Sequence, residues 1–199
     1  MKSRKPDALL IGITGTPGVG KSYFSKRLGD KLRSVGITAK IIEINDVVDS
    51  ENAYDKIDDL GSRIIKPALL RRAMKKAVGQ NGVCIAVGHL LPETGLRPDI
   101  CIVLRQSLQV LEKRLEERRY AKAKIRENLL AEAYDDIGAR VKGMCSEIYE
   151  AETGRERAYL MRYVAGFAVG KKLEKPSHRA IDKFSELEKL ILDGNRLGF

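Results

Sequence analysis

Gly15, Gly20, Lys21 and Ser22 stand at the spacing G-x-x-x-x-G-K-[ST], with Gly18 between them. Those residue types at those intervals suit one task, the holding of a polyphosphate. Glycines let successive main-chain amides turn inward as a concave nest for anions. Lys21 adds a point charge for the outer phosphates, and the Ser22 hydroxyl is placed to sit on Mg²⁺. A second group of cations lies far downstream: Lys113, Arg114, Arg118, Arg119, Lys122, Lys124 and Arg126. Guanidinium groups stabilise the charge that spreads over a transferring phosphoryl group. Glu112, Glu116 and Glu117 are interleaved and would pair with them on a solvated helix face. Together with the glycine loop, the cluster reads as a lid over the phosphates.

These groups need a scaffold. Residues 8–13 form a short apolar run that reads as a buried strand, and Phe24, Leu28 and Leu32 mark one face of the helix after the loop. The positive end of that helix dipole would then point at the anion. A second strand is predicted at 38–44, behind a turn at Gly36. Residues 45–62 are polar and acidic, with weak apolar spacing. A helix is expected at 64–78, with Leu70, Ala73, Met74 and Ala77 on one face and Pro67 in its first turn. Two continuously apolar runs, 83–87 and 98–104, predict inner strands of a parallel sheet.

Ser107 is a candidate cap for a helix running to about residue 119, with Leu108, Leu111 and Leu115 inward. A longer helical stripe covers 122–150, through Ile125, Leu129, Ala133, Ile137, Val141, Met144 and Ile148. Residues 159–169 fit a strand or a helix equally. A last helix is expected from 175–177, with Ile181, Phe184, Leu187 and Ile191 inward and Gly194 past its end. Alternating strands and helices imply a three-layer α/β/α domain with a mostly parallel sheet.

The chain has 199 residues, enough for one domain with a full core. No apolar run approaches the ~18 residues of a membrane helix, and the basic start leads straight into the first strand. Cys84, Cys101 and Cys145 are scattered without metal-ligand spacing, which predicts free thiols in a reduced, cytoplasmic protein. A net charge of +10 and a pI near 9.5 favour an anionic partner, a nucleotide or RNA.

The glycine loop resembles that of the atypical adenylate kinases, the isoenzyme-six type. Gly88-His89-Leu90 resembles that family's D-G-H-L, and Ile102-Val103-Leu104-Arg105 its I-V-L-R-T. The run from Arg114 to Tyr120, with Lys124-Ile125 and Glu127-Asn128, is similar to its lid. The resemblance covers roughly residues 8–135. It implies a P-loop NTPase fold with a short helical lid at about 117–127 and an acceptor segment at about 42–66. It also implies a kinase-like domain over 1–150 and a helical C-terminal extension over 151–199.

The implied activity is Mg²⁺-dependent phosphoryl transfer from ATP to a nucleoside monophosphate, AMP first among them. Gly18, Gly20, Lys21, Ser22 and the amide of Tyr23 would hold ATP, with Arg118 as the lid arginine and His89 as a proton-handling or nucleotide-contacting group. Arg105 would lie on the ligand edge of the sheet. The resemblance further implies ATPase activity and a partner in a small-subunit ribosomal protein or rRNA.

Three positions depart from the family pattern. Val87 stands where the family carries the aspartate of D-G-H, a carboxylate that would help hold Mg²⁺. Arg119 replaces the lid glycine. The segment after about residue 135 is longer, and the family's final strand is not recognisable in it. Asp46 and Glu93 are the expected stand-ins for the missing carboxylate.

Overall fold

The computed structural model describes residues 8–59, 63–79, 81–176 and 181–192. Side-chain alternation along its strands explains why the sheet is covered on both faces. In β1 (Ala8–Thr14), β5 (Gly82–Val87) and β6 (Ile100–Leu104), neighbouring residues point to opposite sides. Leu9, Ile11, Ile13, Ile85, Val87, Ile100, Ile102 and Leu104 enter one core, whereas Cys84, Ala86, Cys101 and Val103 enter the other. The first core is closed by α1 (Lys21–Arg33), α4 (Leu108–Glu117), α5 (Lys122–Ala133) and α7 (Gly154–Ala168). The second is closed by α2 (Ile44–Ser50), α3 (Pro67–Val78) and α6 (Asp136–Val141).

With β2 (Ala39–Glu43) and β7 (Glu147–Ala151), the five strands run parallel in the order β2-β5-β1-β6-β7. The three-layer α/β/α arrangement is the one expected from the sequence. A small antiparallel pair, β3 (Tyr54–Ile57) with β4 (Arg63–Ile65), stands apart from the main sheet.

Several local expectations are corrected. The stripe over 122–150 is not one helix. It breaks after α5 and α6, and Ile148 belongs to β7, whose pairing with β6 overrides a weak helical period. A final strand is therefore present. Residues 64–65 are strand because β-branched Ile65 pairs with Tyr54, and the helix starts at Pro67. The ambiguous run over 159–169 is helical through Ala168 as part of α7, with Val169 its C-cap, and the start of α7 is fixed by a capping box between Thr153 and Glu156. The last described helix, α8 (Phe184–Leu192), begins later than expected and buries only Leu187. Ser177 and Gly194 lie outside the described residues.

The cysteine expectation is also corrected. Cys101 and Cys145 form a disulfide, with Cα atoms 6.0 Å apart, and only Cys84 among the three is free. Adjacent placement of β6 and the lead-in to β7 brings together residues that a sequence separation of 44 had kept apart.

Arg119 takes φ 59°, the left-handed conformation that glycine would adopt without cost. The Tyr120 amide donates to the Leu115 carbonyl at 3.1 Å and the Arg119 amide to that of Glu116 at 2.7 Å, a Schellman closure of α4. The arginine thus keeps the backbone geometry that its side chain disfavours. Arg119→Gly is expected to raise stability by up to about 1 kcal/mol, read from urea denaturation midpoints.

Candidate active site

The loop between β1 and α1 has the curvature its glycines permit. Gly15 sits at φ 135°, and a side chain there would collide with the Leu104 carbonyl. Gly20 is left-handed at φ 101° and serves as N-cap of α1. Neither a capping side chain nor an acidic residue occupies that helix end, which leaves its first-turn amides for an anion.

Lys21 is folded back on the loop, donating to the carbonyls of Gly15 at 2.8 Å and Thr16 at 3.0 Å. Burial lowers its pKa to about 8, with Glu132 pulling the other way and Arg118 reinforcing the fall. That coupling places Arg118, the exposed C-cap of α4, in the electrostatic neighbourhood of Lys21. Glu43, at the end of β2, is close enough to Ser22 and Lys21 to feel both, and Tyr23 projects into solvent with 69% exposure. His89, just after β5, has its pKa lowered to about 4 by burial and by Lys21, Lys124 and Arg140. Gly18, Gly20, Lys21 and Ser22 thus lie on the loop at the carboxyl edge of the central strands, His89 follows β5 at the same edge, and Arg118 acts on Lys21 from the exposed end of α4.

A neutral His89 gives a signed expectation. The unfolded chain takes up this proton near pH 6.5 and the folded chain only near pH 4. Stability from this group is thus present above pH 6.5 and is lost as pH falls toward 4. His89→Gln should flatten that part of the decline, measured as the difference in urea midpoint between pH 7.5 and pH 5.

Two arginines from other helices close on the loop. Arg114 donates to the Gly18 carbonyl and to Gln106 Oε1, both at 3.1 Å. Arg157 of α7 donates to the Arg105 carbonyl at 2.6 Å, its Nη1 lies beside Gly20, and its buried Nε has no partner. Sequence reading missed Arg157, because its helix was ambiguous. Both arginines line a cavity of about 600 Å³ with Tyr23, Gln106, Glu152 and Thr153. Its rim is fixed from α8: buried Lys183 pairs with Glu152 and Glu186, and Glu186 accepts the Leu108 amide at 2.7 Å. Ser107 is the N-cap of α4 but makes no side-chain cap, since Glu186 does that work.

Arg105 follows β6 at the carboxyl edge of the sheet, as expected, but its side chain turns inward and away from a ligand. It is 1% exposed and bound to Glu132 at 2.9 Å, Asp135 at 2.5 Å and Glu150 at 3.4 Å. Glu132 in turn accepts the Thr16 hydroxyl at 2.6 Å, so this buried network braces the glycine loop from behind. Glu93 pairs with Arg140, and the segment expected to take the acceptor comprises α2 and the β3–β4 hairpin. The expected lid is the end of α4, a tight turn and the first half of α5.

The donors present fit a nucleoside triphosphate with Mg²⁺. An uncapped helix end, a desolvated lysine and an arginine whose Nη1 lies beside Gly20 meet at one loop. Ser22 offers a hard oxygen. Mg²⁺ needs few protein ligands when phosphates supply the rest, and among the described residues no cluster of three or more metal-binding side chains exists.

Over residues 11–135 the chain matches the family profile described as "AAA domain". It is 35% identical over 148 residues to a protein of Methanosarcina barkeri, spanning 73% of this chain and 77% of that one. A Methanocaldococcus jannaschii protein is 37% identical over 144 residues, 72% of this chain and 76% of its own length. An Archaeoglobus fulgidus protein is 32% identical over 192 residues, 92% and 96% of the two chains. All three are named "Putative adenylate kinase". Shikimate kinase from Acinetobacter baumannii, solved in complex with shikimate, shares the fold at a TM-score of 0.53 and 12% identity, covering 84% of this chain and 96% of its own. A parallel sheet whose central strand feeds a glycine loop and a lysine-headed helix defines the P-loop NTPase class. Within it, the chain belongs to the adenylate-kinase-like family that these archaeal proteins represent.

Proposed function

We propose that the protein transfers the terminal phosphoryl group of ATP to a nucleoside monophosphate, with AMP the first acceptor to test. The observation that carries this reading is the convergence of Lys21, Arg114 and Arg157 on one glycine loop beside a cavity of about 600 Å³. An oxygen of the acceptor phosphate attacks the γ-phosphorus, and the bond to the bridging oxygen of the leaving ADP breaks. No protein nucleophile is required, and catalysis is positioning and charge stabilisation.

Main-chain amides from Gly18 to Tyr23 grip the β- and γ-phosphates. To do so Lys21 exchanges its two carbonyl acceptors for phosphate oxygens, whose negative charge favours the ammonium form. Arg118 approaches the equatorial oxygens as the turn after α4 closes and excludes water. His89, neutral at physiological pH, orients a phosphate oxygen by hydrogen bonding. Ser22 would hold Mg²⁺, which when bound neutralises charge on the outer phosphates. The β3–β4 hairpin with α2 receives the acceptor.

Stimulation of ADP formation by AMP, with ADP the sole product, is the expected result. Screening the other common monophosphates then identifies the preferred base. The net charge of +10 favours a second reading, an ATPase that assists small-subunit ribosome assembly. ATP hydrolysis indifferent to AMP, together with salt-dependent RNA binding, would establish that reading instead.

A further inference from the structure

We infer that Glu43 is the carboxylate of the metal site, standing in for the one Val87 lacks. The inference rests on the nucleotide reading above. Glu43 and Val87 are the last residues of adjacent parallel strands and are direct partners in the β2–β5 register. Both face α1: Val87 lies in the core that α1 closes, Ile41 of β2 touches Gly29 of α1, and the intervening Ile42 enters the opposite core. Moving a carboxylate from β5 to β2 displaces its Cα by one strand spacing, about 4.8 Å. Glutamate is one methylene longer than aspartate and recovers part of that distance. Glu43 lies close enough to Lys21 and Ser22 to act on the charge there, so its carboxyl and the Ser22 hydroxyl lie in one neighbourhood at the head of α1.

The competing assignments fail on geometry. Glu43 is the N-cap of α2, yet its side chain makes no capping bond, so helix capping does not account for its orientation. Glu93 is engaged by Arg140. Asp46 lies exposed in the first turn of α2, next to Glu43 and without its register to Val87. Mg²⁺ bound to phosphates commonly takes one or two protein oxygens and keeps its waters. A serine and a glutamate at one locus meet that need, directly or through a coordinated water.

The test separates nucleotide binding from metal binding. Calorimetry with ATP in EDTA should give Glu43→Gln an affinity within about twofold of the parent, since the loop amides and Lys21 are intact. Electron paramagnetic resonance with Mn²⁺ and ATP should show the variant's metal affinity reduced about tenfold or more. Glu43→Asp, which shortens the reach by one methylene, should fall between the two, and it decides the matter if the glutamine variant does not fold. Adding Val87→Asp to Glu43→Gln should restore metal affinity by returning the charge to the neighbouring strand. Parent-like Mn²⁺ affinity in folded Glu43→Gln or Glu43→Asp overturns the assignment while leaving the kinase reading intact. Absence of ATP binding by the parent, with or without metal, removes both.

Discussion

Lys21→Ala is expected to lower the rate of ADP formation about a thousandfold, the scale seen when a preorganised charge donor is taken from a transition state. Its effect on stability runs the other way. The folded pKa near 8 lies below the ordinary lysine value of 10.5, so the charged form is disfavoured by folding. At neutral pH this ammonium therefore works against the folded state, and stability rises as pH increases from 8 toward 10.5. The alanine variant should melt no lower than the parent and should lose that pH-dependent rise. A catalytic collapse in a protein of equal or greater stability is the signature of a site strained toward its ligand. Turnover within tenfold of the parent would remove Lys21 from the chemistry.

Arg105→Leu is expected to cost about 3–5 kcal/mol, because it leaves buried carboxylates without their counter-charge. Glu132 and Glu150 are 2% and 5% exposed and would face each other and Asp135 across an apolar gap. Thermal unfolding should fall by about 10 °C in a domain of this size. Activity should drop as well below the new melting point, since Glu132 also holds Thr16 in the glycine loop at 2.6 Å. A melting temperature within a degree or two of the parent would mean that water or local rearrangement satisfies these carboxylates.

The phosphate loop and inner strands were legible in the sequence because they depend on local rules. A glycine spacing and continuous apolar runs need no knowledge of distant partners. What was missed depends on pairing. β7 contains an alternation too short to stand against a helical stripe, and only its bonds to β6 settle its state. Arg105 carries a charge that suggested a ligand, yet three carboxylates from distant segments consume it. Glu43 gave no motif at all. Its significance appears only when β2 is laid beside β5, which pairs Glu43 with Val87 at the strand ends. Arg157 needed the course of α7 to be known. The pairing of Cys101 with Cys145 likewise followed from strand adjacency rather than spacing.

Lys183 and Glu186 tie residues far along the chain to the cavity beside the glycine loop. The ammonium clasps Glu152 at the cavity rim, and the carboxylate tethers the first amide of the helix that carries Arg114 and Arg118. A shortened clone ending after α7 would therefore inherit the glycine loop without the clasp that shapes its neighbour. Truncation boundaries chosen from the P-loop profile alone, which stops at residue 135, would discard β7, Arg157 and this clasp together.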